Sequence, residues 1–425
     1  MSPIQSRDRE PRQDSLRSRT ACEKRGVLFK AKPRRTNRMG GVRTLAWLAA
    51  AIGAGAANLA LAQTSALSTS SFSADFSAMA SLKPLASQGK GKIGVLLPET
   101  TTSARYTSFD APYLERAFLA AGLPRDQFII TNAQGSESTE LTQAQSAIAQ
   151  GATVLLVDPI SSGAGVSIES YAKSHGVPVI DYDRLTLGGD RSYYVSFDNV
   201  AVGKLIGQGM NECLASWRVP KPQILVMRGA PTDNNATLFA QGYLGALQPA
   251  FDSGQYAKVS EPAGTWDPAT ARTTFEQQYT AHSNINAVVT PNDDNANAVI
   301  SYLKTLHVPP STFPTTGQDA TLTGLQNVLG GYQCGTVYKP IYLEAQAAAA
   351  LALYLRAGVA APAALVNGST ADTTQNAQVP SVLLTPIWVT SKNVAATVVK
   401  DRFVDAGKLC AGDLAAKCRA AGISR

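Results

Sequence analysis

Short apolar runs recur along this chain, separated by stretches in which apolar residues are spaced as on one face of a helix. The runs at 92–97 and 152–157 are typical, because each has six residues with almost no polar interruption. Continuous apolar runs of this kind, alternating with helices of about 10–15 residues, indicate βαβ units and a parallel sheet that is buried on both faces. The pattern therefore predicts an α/β protein.

The same pattern predicts where the individual elements lie. Strands are expected at 92–97, 128–130, 152–157, 177–182, 193–197, 223–227, 258–260, 287–290, 315–317, 335–338 and 382–386. Helices are expected at 108–121, 136–150, 166–174, 199–216, 235–249, 268–281, 295–306, 322–329, 341–356 and 393–407. The helix at 341–356 contains Glu344 and Gln346, so we expect a packed helix there rather than a membrane span.

The alternation restarts after residue 197, because the strand at 193–197 has no helix before it. We therefore predict two Rossmann-like lobes with parallel sheets. The chain should cross between them near Asn199, near 318–321 and near 382–386, so that three segments form a hinge beside a cleft that can close. The predicted N-terminal lobe comprises 91–198 and 320–385, and the predicted C-terminal lobe comprises 199–319 and 386–425.

The first 62 residues have the features of a secretory signal peptide. Four arginines between residues 34 and 43 precede an apolar run at 45–61, which ends in an A-x-A sequence at Ala62. The run is rich in Ala and Gly, so a spanning helix is the weaker interpretation. We expect export to the periplasm and cleavage near Ala62. A flexible segment rich in Ser, Thr and Ala should follow at 63–90.

Removing this leader changes the charge of the chain. Residues 1–62 carry 13 of the 38 Lys and Arg residues and 4 of the 31 Asp and Glu residues. The remainder therefore has 25 basic and 27 acidic residues, so the formal charge of +7 belongs to the leader. Without a basic stripe to neutralise phosphates, the mature chain is not expected to bind nucleic acid.

Four of the five cysteines remain after cleavage. Cys410 and Cys418 are close in sequence, and a disulfide between them is expected in an oxidising compartment. Cys213 and Cys334 either form a second disulfide or stay as two buried thiols, since spacing alone does not decide a pairing. The chain has no C-x-x-C motif, so neither a metal site nor a cofactor is predicted.

Polar side chains follow several predicted strands directly, and the carboxyl ends of strands are where α/β proteins bind ligands. A neutral sugar needs acceptors and donors for its hydroxyls and an aromatic face for its apolar side. The candidate polar groups are Asp183, Arg184, Asp233, Asn234, Asn292, Asp293, Asp319 and Lys339. Tyr106 and Trp266 are the candidate flat surfaces, and Arg105 lies next to Tyr106 in the loop after the first strand.

Each of these residues also has a purely structural interpretation. Asp-Asn and Asn-Asp pairs are ordinary turn and cap residues, so Asp233 alone could simply begin the helix that follows it. Trp266 could belong to the core, and Lys339 could be a surface charge. It is the repetition of such clusters at successive strand ends that favours a polar pocket.

Six segments of the chain resemble the periplasmic D-xylose-binding proteins of ABC importers, in the same order and with similar spacing. They are DYDR at 181–184, YVSFDN at 194–199, TDNNA at 232–236, GQDA at 317–320, TVYKPI at 336–341 and LTPI at 384–387. The similarity extends over about residues 92–389. It implies the type I periplasmic binding fold, a monosaccharide as ligand, and permease subunits in the membrane as partners.

The resemblance also implies which residues contact the sugar. The matching positions are Arg105, Tyr106, Asp183, Arg184, Asn234 or Asn235, Trp266, Asn292, Asp293, Asp319 and Lys339. The family usually has Trp where this chain has Tyr106. The segment at 98–103 replaces a more charged loop and is one residue longer, and the cysteine-bearing C-terminal extension lies outside the match.

The leading hypothesis is a monomeric receptor that binds one monosaccharide, D-xylose first, and has no catalytic residue. A sensor that reports sugar to a chemoreceptor or a membrane kinase is the alternative. A sugar-processing enzyme could use paired carboxylates such as Asp183 and Asp293. It is disfavoured because none of the three histidines lies beside a candidate nucleophile and G-x-S-x-G is absent.

Overall fold

The computed structural model describes residues 67–100, 103 and 105–424. The predicted signal peptide at 1–62 and its cleavage site lie outside the described residues. Strands are β1 (Lys92–Leu97), β2 (Phe128–Asn132), β3 (Ala152–Val157), β4 (Val179–Tyr182), β5 (Tyr193–Phe197), β6 (Gln223–Val226), β7 (Ala257–Ser260), β8 (Ala287–Val289), β9 (Thr336–Tyr338), β10 (Gly368–Asp372), β11 (Ala377–Leu384) and β12 (Ile387–Val389).

The helices follow the alternation that the sequence predicts. They are α1 (Lys83–Gln88), α2 (Ala111–Ala120), α3 (Glu137–Ala149), α4 (Ser162–Ser174), α5 (Asn199–Ser216), α6 (Asn234–Asp252), α7 (Pro268–Ala281), α8 (Asp293–Thr305), α9 (Leu322–Gly330), α10 (Ile341–Ala357), α11 (Ala406–Leu409) and α12 (Ala415–Ala420). Short 3₁₀ segments lie at Thr69–Ser71, Ser77–Leu82, Arg125–Gln127 and Gly412–Leu414, and π-helical turns lie at Tyr106–Asp110 and Ala395–Val399.

The larger sheet has the strand order β10-β11-β5-β4-β3-β1-β2 and forms the centre of the N-terminal lobe. Its strands are parallel except for β10, which pairs antiparallel with β11 at the edge. The central strands are buried along almost their whole length, as their continuous apolar sequences require. The Ala-rich α10 packs against this sheet and against α2, so α10 belongs to this lobe.

The C-terminal lobe is built on a second parallel sheet with the order β7-β6-β8. Two isolated bridges, Val288 to Thr315 and Gln318 to Val337, continue this sheet to β9. β9 in turn pairs antiparallel with β12, so that both strands belong to the C-terminal lobe. Together with the larger sheet this gives the two lobes with parallel sheets that the sequence predicts.

The chain passes between the lobes in three places, and one of them differs from the prediction. The first passage leads from β5 into α5 and the third from β11 into β12. The second lies at Lys339-Pro340, between β9 and α10, and not at 318–321. The predicted place of residues 320–338 in the N-terminal lobe is wrong, because Gln318 bridges to Val337 and α9 packs against α8.

The segment after the predicted cleavage site is packed, where the sequence analysis expected flexibility. Phe72, Phe76, Met79 and Leu82 are buried in the main core of the protein. The Arg116 guanidinium lies 4.3 Å from the centroid of the Phe76 ring. These four large apolar side chains are spaced three or four residues apart, although Ser and Thr dominate the composition of the segment. The apolar surface that they bury stabilises the packing of the segment against the rest of the protein.

The C-terminal extension is held on its lobe by apolar packing and a disulfide. Phe403, Leu409 and Cys418 are buried in one cluster with Leu325 and Leu329 of α9. The expected helix at 393–407 is interrupted, because Arg402 adopts a left-handed backbone conformation with φ of 55°. Cys410 pairs with Cys418, and Cys213 of α5 pairs with Cys334 ahead of β9, so that four cysteines form two disulfides.

Candidate functional site

A cavity lies between the two lobes, at the carboxyl ends of their strands, and residues of both lobes line it. The lining residues are Glu99, Ser103, Arg105, Tyr106, Asp183, Arg184, Asp233, Asn235, Phe239, Trp266, Asn292, Gln318, Asp319 and Lys339. All of the residues predicted from the sequence are among them except Asn234 and Asp293. Whether they contact a ligand stays a prediction.

Arg105 is the centre of the N-terminal wall of the cavity. It precedes the π-helical turn Tyr106–Asp110, and its side chain is only 2% exposed. Its guanidinium contacts three carboxylates, with distances of 2.7 Å to Asp110, 2.7 Å to Asp183 and 2.9 Å to Glu344. Burial raises the pKa of Glu344 to about 8, although the charge of Arg105 opposes this shift. The planar guanidinium is therefore fixed in one orientation from several sides.

Asp183 follows β4 and has a left-handed backbone conformation with φ of 58°. Its backbone carbonyl accepts hydrogen bonds from the Tyr194 and Ser196 hydroxyls at 2.9 and 2.8 Å. Burial opposes ionisation of its carboxyl group, but the charges of Arg105, Lys339 and Arg184 outweigh burial and lower its pKa. Asp183 therefore presents an ionised carboxylate at the cavity.

Arg184 joins the two lobes across the cavity. Its Nη2 donates to the Tyr106 hydroxyl at 3.0 Å, and its Nε lies 3.2 Å from Oδ2 of Asp233. That carboxylate oxygen also accepts a hydrogen bond from Nε1 of Trp266 at 3.0 Å. Burial raises the pKa of Asp233, and the charge of Arg184 works against that rise. A short polar chain thus runs from the N-terminal wall to the tryptophan of the opposite lobe.

Trp266 lies in the loop before α7, half-buried at the cavity. Its ring meets Phe239 edge to face, with centroids 6.4 Å apart. It packs flat against Gly229, where an added Cβ would come within 2.3 Å of the ring, so only glycine allows this approach. One edge is fixed by Asp233 and part of the ring faces the cavity, an arrangement suited to covering the apolar face of a sugar.

The C-terminal wall also contains residues that cap helices. Asp233 accepts from the backbone N–H of Asn235 at the start of α6, and Asn292 accepts from that of Asn295 at the start of α8. The Asn235 amide donates at 2.9 Å to the backbone carbonyl of Asp183 in the other lobe. Asp233 and Asn292 therefore each cap a helix and line the cavity. A structural role as a cap and a place in the candidate site do not exclude each other.

The two predicted residues outside the cavity wall have structural surroundings. Asn234 is the first residue of α6 and is not part of the lining. Asp293 is fully buried behind Asn292, where it accepts from the backbone N–H of Thr321 at 2.8 Å and from the Gln333 amide at 2.8 Å. Burial raises the pKa of Asp293 to about 8. Its hydrogen bonds fasten α8 to the turn before α9.

Lys339 and Asp319 complete the cavity beside the second passage of the chain. The Lys339 ammonium lies 3.1 Å from Asp319 and 3.9 Å from Asp183, so one cation bridges carboxylates of both lobes. Asp319 has a left-handed backbone conformation, with φ of 88°. Both side chains are almost completely buried, so the surface interpretation of Lys339 is wrong.

The structure adds lining residues that the sequence analysis did not name as candidates: Glu99, Ser103, Phe239 and Gln318. Glu99 and Ser103 belong to the loop after β1 that departs from the resemblance, and its position after the first strand was the available signal. Gln318 immediately precedes the predicted Asp319. Phe239 lies in the second turn of α6, and nothing in its apolar sequence context distinguishes it from a core residue.

The arrangement is suited to binding an uncharged polyol. Carboxylates, guanidinium groups, an ammonium group and amides provide acceptors and donors around one space, with Trp266 as a flat apolar surface. Within residues 67–100, 103 and 105–424, no group of three or more His, Cys, Asp and Glu residues could hold a metal ion. In the same described part, no helix is long and apolar enough to span a bilayer.

Comparison with known proteins identifies the class. The model of the periplasmic binding protein domain matches residues 93–359, which is more than half of the chain. The chain therefore belongs to the periplasmic binding protein family.

Individual relatives narrow the class to sugar receptors. The chain is 36% identical over 279 residues to the D-xylose-binding periplasmic protein of Escherichia coli, covering 64% of this chain and 80% of the relative. It is 34% identical over 278 residues to the D-xylose-binding periplasmic protein of Haemophilus influenzae, with the same coverage. These matches confirm the family predicted from the sequence motifs, and both relatives are named as binding proteins rather than enzymes.

Solved structures agree with this class. A carbohydrate transporter solute-binding protein from Chloroflexus aurantiacus, in complex with D-glucose, has a TM-score of 0.67 at 26% identity and covers 74% of this chain and 97% of that one. An ABC transporter solute-binding protein from Clostridium phytofermentans, with bound β-D-glucose, has a TM-score of 0.66 at 26% identity and covers 75% and 99%.

Proposed function

We propose that this chain captures one monosaccharide, D-xylose first, in the cavity between its lobes and delivers it to the membrane subunits of an ABC importer. The observation that carries the proposal is the single cavity in which both lobes contribute hydroxyl-pairing groups. Asp183, Arg184 and Arg105 come from one lobe, and Asn292 and Trp266 come from the other. A ligand that pairs with both sides would hold the lobes together.

The choice of sugar is supported by the relatives. Two of them are named as D-xylose-binding proteins, while the two structural neighbours contain glucose. We therefore place D-xylose first and keep hexoses as the competing ligands to be tested.

Capture is expected to proceed by closure of the lobes about the three passages between them. Contacts across the cleft, such as Asn235 to the backbone of Asp183 and Arg184 to Asp233, are available only when the lobes approach each other. Closure excludes water, and hydrogen bonds to the sugar are stronger in the drier environment. The closed pair of lobes then forms the surface that the permease subunits recognise.

Location and assembly complete the proposal. The chain is exported by the leader at 1–62 and cleaved near Ala62, and it acts in the periplasm as a monomer without nucleic acid. The two disulfides suit an oxidising compartment, and the mature part has 25 basic and 27 acidic residues and so little net charge.

The proposal is tested with the chain beginning at Gln63. A thermal-shift screen against D-xylose, D-ribose, L-arabinose, D-glucose and D-galactose is followed by titration calorimetry with each sugar that stabilises the protein. We expect D-xylose to bind with a Kd of about 1 μM, equivalent to about −8 kcal/mol. Tighter binding of a hexose would change the named sugar, and the absence of binding to any monosaccharide would contradict the proposal.

A further inference from the structure

One N–H group of Arg184 faces two carboxylates that belong to different lobes. Its Nε lies 3.2 Å from Asp233 Oδ2 in the C-terminal lobe and 3.6 Å from Asp158 Oδ1 in the N-terminal lobe. Nε carries a single hydrogen, which can make one well-aligned hydrogen bond at a time. The shorter distance makes Asp233 the nearer ion-pair partner of Nε in this arrangement.

The remaining contacts of Arg184 stay within its own lobe. Nη1 donates to the backbone carbonyl of Pro159 at 3.3 Å, and Nη2 donates to the Tyr106 hydroxyl at 3.0 Å. Among the contacts described, only the Nε edge reaches across the cleft. When the lobes separate, Asp233 moves away with its lobe while Asp158 remains beside the guanidinium.

Asp158 is unusual among the carboxylates near the cavity. It directly follows β3 and is completely buried. Neither of its side-chain oxygens accepts a hydrogen bond from any residue that the structure describes. A buried carboxylate without such partners is costly, and most buried polar groups in folded proteins avoid this state. Asp158 does not line the cavity, so direct contact with sugar does not explain its position.

We propose that Asp158 is a positioning residue that holds the Nε edge of Arg184 in the open receptor and releases it to Asp233 when the cleft closes on its ligand. This inference rests on the proposed function, because it describes how the same cleft moves from the open to the closed form. In the open form Asp158 keeps the guanidinium aligned for the incoming sugar. In the closed form it is left without a hydrogen bond.

The charges around Asp158 give the direction of the expected effect. Burial raises the pKa of Asp158 well above its usual value and the negative charge of Asp183 adds to the rise, while Arg184 and Arg105 oppose it. Asp110 contributes in the same direction as Asp183. The closed receptor therefore disfavours the ionised form of this carboxyl group. Replacing it with a neutral side chain of the same shape should favour closure and slow the release of sugar.

The test compares Asp158→Asn with the wild-type chain in titration calorimetry and in stopped-flow measurements of D-xylose release. We expect the affinity of the variant to rise roughly fivefold or more, mainly through slower dissociation. The matched control is Glu169→Gln, since Glu169 is also a completely buried carboxyl group of the N-terminal lobe that does not line the cavity, and the ion pairs described for Arg184 do not include it. This control should bind and release sugar like the wild type.

A second pair of variants separates positioning from a general structural role. In the Asp233→Asn background, the C-terminal lobe has no ionised carboxylate for the Nε edge, which then stays with Asp158 in both the open and the closed form. Adding Asp158→Asn should therefore give no further gain in affinity. The same increase in both backgrounds would overturn the proposal. So would unchanged affinity and release rate in Asp158→Asn. If the wild-type chain binds no monosaccharide at all, the proposed function itself fails, which is a distinguishable result.

Discussion

The two walls of the cleft are built in different ways. On the N-terminal wall, Arg105 contacts Asp110, Asp183 and Glu344, all of them buried, at distances of 2.7–2.9 Å. On the C-terminal wall, Asn292 caps a helix and Trp266 is half-buried with one edge bonded to Asp233. Both disulfides lie in the C-terminal lobe, whereas the sheet of the N-terminal lobe has none.

This difference indicates separate tasks for the two walls. A network of paired charges holds its members in one geometry, so the N-terminal wall is prepared for sugar hydroxyls before the ligand arrives. The C-terminal wall contributes the Trp266 ring and helix-capping residues, which reach the ligand when the lobes close. Two disulfides stabilise the lobe to which this wall belongs. Variants of the first wall should therefore affect binding most. Variants of the disulfides should affect folding and leave binding intact.

The largest effect is expected from Asp183→Ala. The substitution leaves Arg105 and Lys339 without one of their buried partners and removes an acceptor from the cavity. A hydrogen bond to a charged group contributes about 1.5–3 kcal/mol, so the loss of this acceptor should lower sugar affinity by at least about 10-fold in titration calorimetry.

The control for this variant is Asp190→Ala, because Asp190 is about half exposed and pairs only with the exposed Lys173 at the surface. Its affinity for sugar should equal that of the wild type. Unchanged affinity in Asp183→Ala would remove Asp183 from the site. A loss of the folded state in that variant would assign it to the core instead.

The next effect concerns folding rather than binding. Replacing Cys213 and Cys334 by Ser opens a link between residues 121 positions apart and should lower the free energy of unfolding by about 2–4 kcal/mol. The matched variant lacks the Cys410–Cys418 link, which spans 8 positions, and should lose less. Denaturant unfolding measures both. If the variant without the Cys410–Cys418 disulfide lost more unfolding free energy, or if either variant bound sugar more weakly, the separate tasks inferred for the two walls would be wrong.

Trp266→Ala should weaken sugar binding by about 1–3 kcal/mol, by analogy with the loss of aromatic stacking surfaces elsewhere. Trp266→Phe keeps a ring but loses the Nε1 hydrogen bond to Asp233, so its affinity should lie between those of Trp266→Ala and the wild type. Calorimetry ranks the three proteins. If Trp266→Ala fails to fold, the ring serves the core, and the stacking role is excluded.

The smallest effect is expected at Tyr106. Its hydroxyl donates to Asp183 at 3.2 Å and accepts from Arg184 at 3.0 Å, so it connects two cavity-lining groups of the N-terminal wall. Tyr106→Phe should cost about 0.5–1.5 kcal/mol of binding free energy and little stability. A loss as large as that of Asp183→Ala would mean that the hydroxyl contacts the sugar directly.

The sequence predicts much of the fold because parallel strands buried on both faces must be continuously apolar. β3 and β1 have the predicted bounds for this reason, and the residues after β4 and β8 reach the cavity because parallel strands end at one edge of the sheet. Asp183 and Asn292 were found in this way from the sequence alone.

Other features depend on contacts between distant parts of the chain, which local patterns do not contain. Glu344 contacts Arg105, which is 239 residues away in the sequence. Gln318 bridges to Val337, and because local patterns do not contain this contact, the passage at Lys339-Pro340 could not be located from the sequence. The hairpin of β10 and β11 was only partly found, because its outer strand is short and polar.

Both walls should hold the same sugar molecule, and a crystal structure of the mature chain with D-xylose would show whether they do. We expect one sugar in the cavity, with hydroxyls within hydrogen-bonding distance of Asp183 on one wall and Asn292 or Asp319 on the other. Trp266 should cover the apolar face of the ring. A sugar bound elsewhere, or one that contacts a single lobe only, would contradict the account.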